Sequence, residues 1–197
     1  MSMITTEQIK ELRDRTGVSV MQCKKALEEA KGDAEKALII LQKKSGEIAA
    51  KKSDRTFAAG VVQTYVHSTG QVASMVELVC ETDFVANNDE FKTLARDIAM
   101  HITASNPAFL KKDDINPEAR AKAEEVFAEE VKDKPAAMKE KILAGKLDAY
   151  FADRILLDQP FIKNPDVKIS TLLEGAIQKF GEKIEIARFV RFGVLEK

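Results

Sequence analysis

The stretch VVQTYVHSTGQVASMVELVC, residues 61–80, changes the hydrophobic period of the chain and decides its fold class. Residues 61–67 are rich in β-branched side chains, which suit a pleated, half-buried surface better than a helix. Ser68, Thr69 and Gly70 supply a turn. Beyond it Val72, Ser74, Val76, Leu78 and Cys80 alternate with the opposite face, the period-2 pattern of a strand. Two such runs joined by a short turn predict an antiparallel hairpin. A third strand is expected over 184–194, where Ile184, Ile186, Phe189, Val190 and Phe192 stand between charges.

Upstream the period is helical. Thr5 with Gln8 has capping-box spacing, Ile9 and Leu12 share a face, and Gly17 suits a helix end. Ser19 with Gln22 repeats the start signal, and Cys23, Ala26, Leu27 and Ala30 form a stripe that stops at Gly32. Asp33 then caps a third helix whose Ala34, Ala37, Leu38 and Leu41 face inward. Residues 1–45 therefore read as a small helical module, 46–57 as a charged linker or connecting helix, and 58–197 as the core domain. Lys43, Lys44, Lys51 and Lys52 offer a basic patch, but the interspersed acids favour a solvated face.

Downstream, Phe91, Leu94, Ala95, Ile98, Ala99 and Ile102 make a helical stripe that Asn106-Pro107 breaks. Asn116-Pro117 is a helix start, because proline at the first helical position loses no hydrogen bond. That helix is expected to turn Ala119, Ala123, Val126, Phe127 and Val131 inward and to stop at Lys134-Pro135. Separate helices are predicted over 135–143 and 146–156, and a last one opened by Thr171 with Glu174 and closed by Gly181. Helices outnumber strands and the strands pair antiparallel, so the class is α+β.

Composition excludes several functions. The 31 basic residues nearly cancel the 32 acidic ones, so no net field steers the chain to phosphate backbones or anionic lipid. Direct nucleic-acid binding is therefore disfavoured. No apolar run approaches the roughly 18 residues of a membrane span, and residues 1–10 do not read as a secretory signal. Cys23 and Cys80, distant and set among apolar neighbours, read as reduced thiols of a cytoplasmic protein. No phosphate-binding glycine motif is present, and His67 and His101 show no metal-ligand spacing with the cysteines. No cofactor or metal is expected, and His101 reads as structural. An enzyme with its own active site is not indicated, though a hydrolase using Cys80 and a histidine is a third reading.

One segment, VCETDFVANNDEF at 79–91, does not fit a plain connection. Asn87 with Glu90 resembles a helix start, leaving 81–86 as a short loop that carries Phe84 and Val85. A hydrophobic residue before an N-cap often packs back as a staple, so the pattern alone leans toward Phe84 and Val85 tucked under the helix. The outward alternative stays open.

TDFVAN (82–87) resembles the signature of elongation factor Ts, the exchange factor for the translation GTPase elongation factor Tu. KELRDRTGVSVMQCKKAL (10–27), GDAEKA (32–37), DIAMHITASNP (97–107), QPF (159–161) and RFVRF (188–192) are similar to family sequence in the same order. The resemblance implies a UBA-like three-helix module followed by an antiparallel three-stranded sheet packed on helices. It implies docking on elongation factor Tu through Thr82, Asp83, Phe84 and Val85, with Phe84 as an apolar wedge and Val85 packing the loop down. Val20 and Met21 are the matching module contacts, although both also suit a bundle core. The chain resembles the short form of the family, which implies a homodimer, with the sheet as a candidate interface. With Val190 and no cysteine on the last strand, no covalent link is expected. The alternative function is a non-catalytic adaptor or chaperone that holds a protein partner.

Overall fold

A computed structural model describes residues 4–132 and 135–196. Lys134 of the expected Lys134-Pro135 helix stop and residues 1–3 lie outside this range, while Pro135 precedes the next helix. The elements are α1 (Thr6–Thr16), α2 (Val20–Glu29), α3 (Ala34–Ala50), β1 (Ala59–Val66), β2 (Val72–Cys80), α4 (Asp83–Ala86), α5 (Asp89–Ser105), α6 (Pro117–Glu130), α7 (Ala136–Ala152), β3 (Pro160–Phe161), β4 (Asn164–Lys168), α8 (Ile169–Phe180) and β5 (Glu185–Gly193). The fold is α+β, with a three-stranded antiparallel sheet in the order β1-β2-β5. The His67 amide donates to Val72 O at one end of the hairpin, and the Ala58 amide donates to Cys80 O at the other. β3 and β4 form a second, two-stranded antiparallel sheet. The sequence reading missed it, because two prolines within 160–165 hide so short a pair.

The chain divides into two compact units. One comprises the described part of Met1–Gln63, with Val76–Asp97 and Ser170–Ala187. Its helical part closes on Leu12, Val18, Cys23, Ala26, Leu27, Ala30, Ala37 and Leu41. The Thr5–Gln8 capping box is made in both directions, and Ser19 and Asp33 cap α2 and α3. Gly17 ends α1 at φ 67°, a left-handed conformation that a Cβ would strain, and its amide donates to Arg13 O at 2.7 Å. Of the linker and connecting-helix alternatives for 46–57, the first part is helical: α3 continues to Ala50, through buried Ser45, whose hydroxyl bonds both Leu41 O and the Gln178 side chain. Of the lysines in 43–52, Lys44 pairs with Glu29 and Lys52 donates to Gly181 O. Phe91 and Phe180 meet edge to face, with centroids 5.9 Å apart.

The other unit comprises the described parts of Thr64–Met75, Ile98–Ile169 and Arg188–Lys197. α5 lies on β2 here: Ser74 Oγ donates to Ala99 O at 2.6 Å and accepts from Thr103 Oγ1 at 3.0 Å. These bonds admit a hydroxyl at an inward strand position. His101 is fully buried. Its Nδ1 accepts the Ile162 amide, so Nε2 carries the proton and donates to Gln159 Oε1 at 2.9 Å. Burial pushes its pKa below the ordinary 6.5. The helices expected over 135–143 and 146–156 are one, α7, because exposed Gly145 lowers helix propensity without breaking the backbone ladder. α7 and α6 close on Ala123, Leu147, Phe151 and Ile155. Asn116 caps α6 as expected, but Val126 is 60 % exposed rather than inward. α8 starts at Ile169, whose amide takes Gln159 O, so the Thr171–Glu174 signal is not its start. Glu174 instead lies beside Gly46, and burial raises its carboxyl pKa.

Candidate functional site

The segment expected to be a loop is a single helical turn, α4. The Ala86 amide donates to Thr82 O and the Asn87 amide to Asp83 O, and this closes the turn. Val85 and Ala86 are buried at 3 % and 5 %, anchoring α4 from beneath. Helical geometry rotates each residue by about 100° from the last, so with Val85 pointing down, Phe84 is carried outward and is 85 % exposed. Of the two residues expected to tuck under the helix, Val85 does and Phe84 does not. Asn88, not Asn87, opens α5: its Oδ1 accepts the Glu90 amide at 2.8 Å. Asp83 and Thr82 are exposed, and Asp83, Phe84, Asn87 and Asn88 line one shallow hollow.

Thr82 precedes α4 in extended conformation but makes no side-chain cap bond. Its hydroxyl donates instead to Glu182 Oε1 at 2.5 Å. Glu182 Oε2 accepts the amides of Glu81 and Thr82, each at 3.0 Å. Glu81 returns the exchange, accepting the Lys183 amide at 2.6 Å while Arg55 Nη1 reaches it at 3.1 Å. The Lys183 amide, and then Arg55, hold the Glu81 carboxyl below its usual pKa. The Cys80 thiol donates to Thr82 O, and burial raises its pKa, so it serves as a weak donor rather than a thiolate.

Val20 and Met21 open α2 and are 46 % and 64 % exposed, outside the bundle core that Cys23, Ala26 and Leu27 enter. Next to them, Gln22 Oε1 accepts from Gln178 Nε2 at 3.3 Å. Lys179 lays its stem against Gly17 and pairs with Glu90 at 2.5 Å. The end of α8 thus touches the neighbours of both exposed groups. Thr82, Asp83, Phe84 and Val85 share one turn, with Val85 supporting it from below rather than presenting a side chain. Sequence reasoning missed Glu182 and Gln178. The acid directly after the helix-ending Gly181 is a weak signal for the first, and nothing in the pattern marks the second.

What these surfaces can do chemically is bury apolar area against another macromolecule, with acceptors such as Asp83 at the rim. Fold and site together define an α+β protein that presents exposed apolar side chains on braced helical elements.

Comparison makes the class particular. A family model described as Elongation factor TS matches residues 4–196. Elongation factor Ts of Carboxydothermus hydrogenoformans is 49 % identical over 192 residues, covering 96 % of this chain and 88 % of the relative. That of Thermodesulfovibrio yellowstonii is 47 % identical, covering 97 % and 96 %. That of Thermosipho melanesiensis is 44 % identical, covering 98 % and 100 %. The chain belongs to the elongation factor Ts family and is a translation elongation factor. Among the described residues no helix is long and apolar enough to cross a membrane.

Proposed function

We propose that this protein speeds GDP release from elongation factor Tu by binding its nucleotide-free form, in the cytoplasm and with no active site of its own. The observation that carries this reading is Phe84, an aromatic side chain 85 % exposed on a turn whose next two residues are buried. An exposed aromatic on a braced turn brings large contact area at low ordering cost. Exchange requires only that the factor bind the empty GTPase better than the loaded one, since reciprocity then weakens nucleotide binding by the same factor. Phe84 enters the GTPase as an apolar wedge, and Asp83 accepts a hydrogen bond beside it. Their displacement of partner groups disturbs the magnesium ion, which demands near-octahedral oxygen ligands, and the amides that hold the phosphates. Val20 and Met21 form a second contact, and Thr82 acts within the turn. The test is GDP release from purified elongation factor Tu in stopped flow, with and without the protein. Unchanged release refutes the reading. Equal affinity for loaded and empty GTPase supports the adaptor alternative.

A second copy of the chain is part of the same proposal. On β5 the inward side carries Arg191, whose Nε donates to Thr103 O, so Val190 and Phe192 face out at 40 % and 69 % exposed. Val66, Met75 and Val194 are exposed on the same sheet or just past it. An open apolar sheet face is the kind of surface that a two-fold partner covers.

A further inference from the structure

We infer that Glu182 is the positioning residue for Phe84. This rests on the reading of Phe84 as the docking group. A four-residue helix is too short to hold its own conformation, since nucleation fixes several dihedrals for one hydrogen bond. α4 must therefore be held from outside. Below it, buried Val85 and Ala86 supply apolar contact, which is non-directional and does not set the angle at which Phe84 leaves the surface. Direction comes from Glu182.

Its carboxylate takes three donors from two consecutive residues, the Glu81 and Thr82 amides and the Thr82 hydroxyl. Bonds to a charged acceptor are about twice as strong as neutral ones. Together they fix the residue immediately before α4 and so the direction of its first turn. Glu81, bonded in return to the Lys183 amide, prevents the two segments from sliding past each other. The 182–183 segment is itself tied down, with Lys183 Nζ on Ser53 O at 2.6 Å and over the Phe57 ring. Glu182 thus touches no partner-facing group except Thr82, and acts on docking through the orientation of Phe84.

The test is a mutant cycle on factor-promoted GDP release from elongation factor Tu at subsaturating factor. Glu182→Gln, which keeps shape but loses charge and one acceptor, is expected to slow release roughly tenfold, as loss of a charge-assisted bond implies. In a Phe84→Ala background the same change is expected to have less than about a twofold effect, because no wedge remains to orient. Thr82→Val removes one of the three bonds and is expected to slow release, and Thr82→Ser restores it. These two variants keep the test open if Glu182→Gln unfolds, which circular dichroism reads. A full tenfold loss persisting in the Phe84→Ala background overturns the proposal, as does wild-type release by both Glu182→Gln and Thr82→Val. If Phe84→Ala itself exchanges normally, the docking reading fails and takes this proposal with it. Failure of the Glu182 and Thr82 arms alone leaves that reading intact.

Discussion

Replacing Phe84 by alanine is expected to separate binding from folding. The ring is 85 % exposed, so its removal takes little from the folded state. Surface substitutions of this kind usually stay within about 0.5 kcal/mol. If the partner buries the ring, roughly 170 Å² of apolar area leaves water, worth about 4 kcal/mol at ~25 cal/mol per Å². Association losses reduce what is observed, and an aromatic anchor commonly costs about 2 kcal/mol or more on truncation, which is about thirtyfold. The expected result is GDP release from elongation factor Tu slowed about thirtyfold or more at subsaturating factor, with an unchanged thermal melt. Stopped flow with a fluorescent GDP analogue reads the first quantity and circular dichroism the second. Wild-type release by a folded Phe84→Ala protein refutes the reasoning. A lowered melting temperature shows instead that the ring is part of the core.

Met21→Ala is expected to weaken binding to elongation factor Tu several-fold without destabilising the module, because Met21 is 64 % exposed; titration calorimetry and a melt check both halves. Phe192→Asp is expected to yield monomers in sedimentation, since a charge on a covered apolar face is costly; a sedimentation coefficient equal to wild type refutes the sheet-face dimer. His101 titrates below its ordinary 6.5 when folded, so the unfolded chain binds more protons between the two values. Its contribution is complete above about pH 6.5 and is lost as pH falls through the folded pKa. Denaturation midpoints at about pH 8 and pH 5.5 should therefore fall further for wild type than for His101→Gln, and equal falls count against the buried neutral imidazole.

The sequence by itself determined the α+β class, the three capped N-terminal helices, the hairpin and the last strand. Each of these is written in local terms: a capping residue, a 3.6 or 2 period, a glycine at φ 67°. Some boundaries moved for local reasons, as at Gly145 in α7 and the proline-bearing β3–β4 pair, and others coincide with distant contacts: α3 runs through Ser45, which bonds Gln178, and α8 starts at Ile169, whose amide donates to the Gln159 carbonyl. Resemblance marked Phe84 as outward although the pattern leaned the other way. Burial of Val85 and Ala86 turns Phe84 outward, and the carboxylate that accepts the Thr82 hydroxyl and two amides at the start of that turn belongs to Glu182, about a hundred residues downstream. Local pattern reports which groups prefer water. Only the folded chain decides which groups are held into it, because that takes a partner from elsewhere in the sequence.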